Sequence, residues 1–518
     1  MYKIFHKENN NSNRKMKGIR IMKSYWTEEF DDKINFPEVK EDLETDVCII
    51  GGGLTGLSCG YYLSKEMKII VLERDEICSS TSGKNTGKLT SQHGLFYKYL
   101  IDANGEKFAK KYFEANEKAI DNIEKIIKEE NIECEFEKED SYVFTMNQNG
   151  ISKIKDEQKA VEKIAENKSE YVEDINLPIQ IKAAIKFKNQ AKLNPVKYGY
   201  GLAKCILKNN SKIYENSKVI AIDQKEDKYE ITVNGKKIIA ENVIIATRYP
   251  SINFPGYYFL KMYQSTSYAI VAKVKEELFE GMYISSDSPV ISFRGIEQDG
   301  EKLLLAVGYD YKTGKEQVEN GYLKLEETIK SMYSDVKILY KWTAEDCISL
   351  DKISYIGEYS NLMKNIYIAT GFNKWGLTSS NVAANILKDK VLGIANKYEE
   401  VFKSTRLEPL KNKDEFKNML KEAGKSIILS KFKLPEETLK DIKQGEGKII
   451  EHEGEKIGVY KDENEKIFKV KPVCTHLGCE LYFNNYDKIW ECPCHGSKFT
   501  YEGKAIEVPG IKHLEIDL

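Results

Sequence analysis

The sequence predicts an α/β nucleotide-binding domain interleaved with an antiparallel-sheet domain, followed by a small all-β domain. Three stretches carry that expectation. "VCIIGGGLTGLSCGYYLS" reads as a short apolar strand, a glycine turn and a helix; "SYAIVAKV", "PVISFRG" and "KLLLAVGYD" alternate as antiparallel strands do; and "CTHLGCELYFNNYDKIWECPCHGSKF" packs four cysteines and two histidines into a turn-rich tail. At 518 residues, 41% of them hydrophobic, the chain exceeds one ordinary core and fits several domains. Its 79 basic and 81 acidic residues leave a net charge of −2, so no overall field favours nucleic acid or an anionic membrane. No apolar run approaches the roughly eighteen residues of a spanning helix, and none resembles a signal-peptide core. A cytoplasmic location without an integral membrane anchor is expected.

Taken in order, the polar opening lacks hydrophobic periodicity before Trp26, so residues 1–21 are expected to be disordered, with Met22 an alternative start; residues 1–44 form an N-terminal extension. "TDVCIIGGG", a helix and "KIIVLER" make a βαβ unit. Lysine-rich amphipathic helices are expected at about 104–130 and 152–168. Strands follow at "YEITVNG" and "NVIIAT", then the antiparallel set, then a strand, loop and helix in "NIYIATGFNKWGLTSSNVAANILKDKVLG". The boundaries drawn from this pattern place nucleotide binding at about 45–135, 200–250 and 345–397, and a substrate domain at about 136–199 and 251–344. A charged helical linker spans 398–438, and the small β domain 439–518.

Gly51, Gly53 and Gly56 stand in GxGxxG order, with Gly60 one helical turn further and Glu73 twenty-two residues after the first glycine. Gly51 permits the tight turn, Gly53 lets a pyrophosphate approach the backbone, and Gly56 lets helix and strand pack closely; the helix start attracts the phosphates. Glu73 is placed to accept from ribose hydroxyls, next to Arg74. NAD and FAD both fit this fingerprint.

Three further stretches, "SSTSGKNTGKLTSQHG", "NVIIATRYP" and "DKISYIGEYSNLMKNIYIATGFNKWGLTSS", resemble the flavin-contacting segments of the glycine oxidase and D-amino acid oxidase family. That resemblance spans roughly 45–395 and implies FAD, with an antiparallel domain closing over the substrate. By position it sets Ser82, Lys84, Asn85 and Thr86 beside the pyrophosphate and ribityl chain, Val219 against the adenine, and Thr247 in the neighbouring strand-end motif. It brings Gly371, Trp375, Gly376, Leu377 and Thr378 to the isoalloxazine. A helix start there aims N–H groups at charge appearing on reduced flavin. Amino-acid oxidases of this family often hold the substrate carboxylate with an arginine in the stretch that matches "WTAEDCISLD". Trp342 and Asp351 align, but the arginine position is Asp346, which favours a cationic amine, with Arg294 the alternative source of positive charge. Asp346 and Trp375 are the candidate catalytic residues. Hydride transfer needs alignment more than a protein acid or base, so no triad is expected.

In the tail, CxH (Cys474, His476) and CxxH (Cys492, His495) are fifteen residues apart. Two Cys and two His also suit zinc. Zinc sites usually pair cysteines as CxxC, whereas mixed loops suit a [2Fe–2S] centre with two Cys on one iron and two His on the other. "CTHLGC" and "CPCHGS" resemble the Rieske proteins of quinol-oxidising cytochrome complexes, over about 439–518. The resemblance implies a Cys479–Cys494 disulfide and a Ser497 hydroxyl bonded to a bridging sulfide. It also implies that Leu477 shields the cluster and that Pro509 lies in the covering loop. Phe499 stands where those proteins place a tyrosine, so the potential is expected below theirs.

The whole chain resembles bacterial FAD-dependent oxidoreductases with a C-terminal Rieske domain. It implies a dehydrogenase that oxidises an amine or amino-acid-like substrate at FAD and relays single electrons through the cluster to an external acceptor. The alternatives are a module run in reverse from a reduced partner, and an oxygen-using oxidase with the cluster as sensor or docking element.

Overall fold

The computed structural model describes residues 23–250, 255–298, 300–315, 320–406, 439–507, 509–510 and 512–516. The expected disorder of 1–21 and most of the expected linker, 407–438, lie outside the described residues.

The strand Leu43–Ile50 is buried along its last four residues because it sits in the middle of a sheet covered on both sides. Val47 and Ile49 join one apolar cluster, Cys48 and Ile50 the other, as the two-residue period of a strand requires. The sheet runs in space Tyr355–Ser360, Met363–Thr370, Lys236–Ile245, Leu43–Ile50, Ile69–Leu72, Lys212–Tyr214, parallel from Met363–Thr370 onward. The hairpin Val219–Lys225 and Lys228–Val233 is attached antiparallel to Lys236–Ile245. Helices Leu54–Leu63, Pro195–Lys208 and Gly376–Val391 pack on it, and Gly60 is what lets the second approach the first: a Cβ there would meet Ile206 at 2.7 Å.

A second sheet of nine strands is largely antiparallel. Its order is Val336–Ser349, Met262–Val274, Glu301–Lys312, Ile291–Gln298, Met282–Ser285, Glu137–Thr145, Ala183–Lys192, Lys88–Leu89, with Ser169–Val172 beside Ala183–Lys192. This sheet therefore runs to Ser349 and starts at Lys88, beyond the boundaries expected for the substrate domain. The amphipathic helices fall at Glu106–Glu129 and Ile151–Ile164.

Both segments flanking the flavoprotein unit are packed on it. Within the expected N-terminal extension, residues 23–44 pack on the flavoprotein unit: Tyr25 and Trp26 are buried, and the Trp26 indole N–H donates to Asn85 O at 2.7 Å. The linker does not begin at 398, because Val401 and Phe402 are buried and Arg406 clamps Asp351 through two bonds of 2.6 and 2.9 Å. The C-terminal domain is a three-stranded sheet, Glu446–His452, Glu455–Lys461 and Ile467–Val470, beside a four-stranded one, Tyr482–Asn484, Ile489–Glu491, Lys498–Thr500 and Ala505–Glu507.

Candidate functional site

A deep crevice opens at the carboxyl ends of the parallel strands, where such sheets place ligands. Gly51 adopts φ +111°, and a Cβ on it would lie 2.6 Å from Ala246 O, so no other residue fits the turn. A Cβ on Gly56 would sit 1.9 Å from Gly51 O, which is how closely helix and strand approach. The helix Leu54–Leu63 has glycine at its N-cap with no side-chain cap of its own; Ser82 Oγ accepts from Leu54 N at 2.9 Å. The first-turn N–H groups thus face the crevice as an anion site. Glu73 lines it at the end of the second strand, its carboxylate accepting from Gly52 N at 2.7 Å and Asp75 N at 3.0 Å, and burial raises its pKa. Arg74, Ser82, Lys84, Asn85, Thr86, Val219, Thr247, Gly371 and Gly376 also line the crevice. Asn85 spends its side chain locally, donating to Ser82 O at 2.7 Å and accepting from Gly87 N at 2.7 Å. The residues present fit an extended dinucleotide with its pyrophosphate at the helix start.

Further along the crevice, the strand Val336–Ser349 lays Asp346 on the wall opposite Ser265. Burial pushes the Asp346 carboxyl up to about 6. Asp310 joins it, paired with Lys374 at 2.7 Å. Trp375 lines the same wall and stacks on His93, ring centroids 4.8 Å apart and planes at 16°. His93 is held neutral by burial, its pKa down to about 3, and meets Tyr112 Oη at 2.7 Å.

Three of the expected residues bring no side chain to the crevice wall. Leu377 packs into the core, and Thr378 is buried with its hydroxyl on Thr90 O at 3.3 Å, so neither side chain lines the crevice. What those positions offer is the unsatisfied N–H of a helix start. Arg294 does not reach the crevice; it is buried and donates to Gly87 O at 2.9 Å and Leu193 O at 3.4 Å. Besides Arg74 and Lys84, the crevice is lined by the cations Lys88, Lys218, Arg248 and Lys374, which no sequence motif singled out. A clue existed for Arg248, which follows the strand-end motif "NVIIAT" directly and bends the chain at φ 44°.

The tail builds two matching loops. Cys474 N–H donates to Cys479 O at 2.8 Å and Gly478 N–H to Cys474 O at 3.0 Å; Cys492 N–H donates to Ser497 O at 2.9 Å and Gly496 N–H to Cys492 O at 2.9 Å. Gly478 and Gly496 take φ of 77° and 75°, a conformation that favours glycine. Each loop delivers one Cys and one His: the thiols of Cys474 and Cys492 neighbour each other, and the rings of His476 and His495 lie 4.9 Å apart at 88°. Burial keeps the imidazoles neutral, His476 down to about 4 and His495 to about 3, as ligation requires. His495 Nδ1 is buried without a hydrogen bond. Cys479 and Cys494 form a disulfide across the loops, which leaves two thiols and two imidazoles as the donor set. That set fits a two-iron centre. Ser497 Oγ lies 3.5 Å from Cys474 Sγ and accepts from Gly510 N at 2.9 Å, which seats the 509–510 segment over it; Phe499 is fully buried, and Leu477 is 40% exposed.

The second loop is docked on the upstream domain beside the crevice. The Gln264 amide donates to His495 O at 2.5 Å, and Tyr249 and Phe259 stand against the His495 ring at 6.4 and 5.8 Å. Gly314 donates to Glu491 at 2.9 Å, and a Cβ on it would lie 2.3 Å from Pro493 N. Below this contact Lys498 bonds Glu345 at 2.9 Å, and Glu345 also lies 3.6 Å from Arg248 and 3.9 Å from Lys84 on the crevice wall.

A nucleotide-binding parallel sheet, an antiparallel lid and an attached two-Cys, two-His β domain define a flavoprotein oxidoreductase that carries its own iron–sulfur centre. The chain belongs to the FAD dependent oxidoreductase (DAO) family, whose model matches residues 46–390, and its tail matches the Rieske [2Fe-2S] domain over 433–516. FAD and a [2Fe–2S] cluster are its cofactors. It is 36% identical to a Bacillus subtilis protein named as a Rieske 2Fe-2S iron-sulfur protein, YhfW, over 96% of this chain and 97% of that one. It is 23% identical to gamma-glutamylputrescine oxidoreductase of Escherichia coli, over 73% of this chain and 90% of that one. Among solved structures, glycine oxidase from Geobacillus kaustophilus shares the fold at a TM-score of 0.57 and 16% identity, over 70% of this chain and 99% of that one. Among the described residues, no helix is long and apolar enough to cross a membrane.

Proposed function

We propose that the protein oxidises an amine or amino-acid-like substrate at FAD and passes the electrons singly through its Rieske cluster to an external acceptor. The observation that carries this reading is the docked second loop: His495 is turned into the flavin domain beside the crevice, while His476 is partly exposed and Leu477 and Val473 are exposed at the surface. One histidine faces the donor and the other the acceptor. FAD supplies acceptance of two electrons with a hydride and their release one at a time, which matches the one-electron capacity of the cluster.

The chain's own residues hold and orient. The helix start at Leu54, with Ser82 and Glu73, holds the dinucleotide; Gly371 to Gly376 present backbone to the ring system; the second sheet excludes water over it. Asp346 and the stacked Trp375 fix the substrate, Asp346 as the anion that meets an ammonium group. The E. coli relative named for gamma-glutamylputrescine supports an amine, and glycine oxidase an amino acid. The described elements support a flavoprotein unit that includes Arg406 and a Rieske unit whose first strand is Glu446–His452.

Anaerobic mixing with primary and secondary amines tests the reading: an amine substrate bleaches the flavin band without added reductant. Asp346→Asn is expected to raise KM for it by roughly tenfold or more, the loss of one charge-assisted bond of about 1.5–3 kcal/mol. Bleaching by 2-hydroxy acids and by no amine or amino acid contradicts it.

A further inference from the structure

Lys88 is a crevice cation that no carboxylate pairs with among the described residues. It stands on the edge strand Lys88–Leu89 and reaches across the crevice face of the second sheet, where its ammonium group donates to Tyr283 O at 2.7 Å and to Ser292 Oγ at 2.5 Å. Both acceptors are neutral. An ammonium has three donors, so one remains for the crevice, which Lys88 lines together with Ser141 and Ser292. Three other crevice cations have their anions: Lys84 and Arg248 lie 3.9 and 3.6 Å from Glu345, and Lys374 lies 2.7 Å from Asp310. Glu139, whose charge acts on Lys88, sits 3.0 Å from Lys192. Burial, then the charge of Arg294, hold the Lys88 pKa well below the ordinary lysine value, a cost that a bound anion would offset.

Strand register sets this group apart from Asp346. A row of paired residues, Ser292, Val307, Ala269 and Trp342, crosses the sheet to the strand of Asp346, which lies four residues further along it. Three ladder spacings make about 14 Å along the sheet. With a hydrogen bond of about 3 Å at each end, a ligand touching both groups carries its charges at least about 8 Å apart, roughly seven bonds of extended chain at about 3.6 Å per three bonds. An α-amino acid carries both charges on a single carbon and cannot reach both.

We propose that Lys88 and the Ser292 hydroxyl form a second substrate subsite that takes a carboxylate, so that the substrate is an elongated amine with an anionic group at the end remote from Asp346. Ser292, whose oxygen accepts from Lys88, keeps its own proton to donate to the same anion. The length of the substrate rests on the reading of Asp346 as the ammonium partner; the anion subsite rests on Lys88.

The test is an equilibrium titration of the full-length holoprotein, followed by perturbation of the flavin absorption band, with ω-aminooctanoate, n-octylamine and octanoate, on wild type, Lys88→Met and Asp346→Asn. In the wild type, ω-aminooctanoate is expected to bind at least about tenfold tighter than n-octylamine, the worth of one charge-assisted hydrogen bond. Lys88→Met is expected to bring that ratio to about one, with the flavin band and cluster spectrum of the ligand-free protein unchanged. Equal affinity of the two amines in the wild type overturns the proposal, as does a preference that survives in Lys88→Met. A flavin band already shifted in ligand-free Lys88→Met also overturns it, because the lysine then belongs to the cofactor. Binding of n-octylamine unchanged by Asp346→Asn rejects the ammonium reading instead. Octanoate, which carries no ammonium, then decides the subsite: loss of its binding in Lys88→Met upholds the subsite, whereas octanoate that fails to bind the wild type, or binds Lys88→Met equally, overturns it.

Discussion

Replacing Glu345 by glutamine should loosen the Rieske domain from the flavin domain. The carboxylate is 3% exposed and lies 2.9 Å from Lys498, itself 4% exposed, with Arg248 at 3.6 Å and Lys84 at 3.9 Å. Burial alone would raise its pKa; Lys498, then Lys84 and Arg248, outweigh that and hold it well below the ordinary carboxylate range. Removing one partner of a buried pair costs about 3–5 kcal/mol because the remaining charge stays desolvated. Glutamine keeps the shape and still accepts from Lys498, and Glu491 at 3.4 Å still compensates that lysine, so the lower figure of about 3 kcal/mol applies. At an m-value of roughly 1–3 kcal/mol/M, the urea midpoint read from cluster circular dichroism should fall by about 1–3 M. Flavin fluorescence should report a smaller change. A midpoint for Glu345→Gln equal to that of the wild type refutes the reasoning.

Further outcomes follow from the same geometry. Acid should destabilise the fold in two stages: His93, whose pKa is depressed to about 3, contributes stability that is lost as pH falls below the unfolded value near 6.5, by about 2 kcal/mol at pH 5; Glu345 adds a loss below about 4.5. Thermal unfolding between pH 7 and 4 checks this, and a flat profile contradicts it. With Asp346 titrating at about 6, kcat/KM for a cationic amine should drop as pH falls through that value, and Asp346→Asn should remove the drop. Opening the Cys479–Cys494 bridge, which closes a separation of 15 residues, should cost the tail about 3 kcal/mol, measured by denaturation at the cluster's visible band. Phe499→Tyr should raise the cluster midpoint; no upward shift in a redox titration would refute the role assigned to that position.

The parts of the fold and site legible in the sequence are those whose geometry is set within a few residues. GxGxxG and the two Cys/His loops are of this kind, because Gly51, Gly478 and Gly496 need their left-handed backbone wherever the loop stands. Sites assembled from distant strands were not legible. Asp310, Lys88 and Lys374 reach the crevice from three separate segments, and Lys498 meets Glu345 across 153 positions. Arg294 has the charge of a ligand residue, yet three backbone carbonyls, of Gly87, Leu193 and Gly295, consume it. Leu377 and Thr378 were placed correctly in sequence beside Gly376, but helical periodicity turns their side chains inward. The interface was invisible for the same reason: Gln264, Gly314 and Tyr249 lie far in sequence from the docked loop and meet it only through the fold.

The central claim, that flavin and cluster exchange electrons within one chain, is tested most directly by reducing the flavin anaerobically in a rapid-mixing experiment and freezing samples for electron paramagnetic resonance. The cluster signal is expected to grow as flavin electrons are lost, at a rate independent of protein concentration. A cluster that stays oxidised beside fully reduced flavin, or a rate proportional to protein concentration, contradicts it.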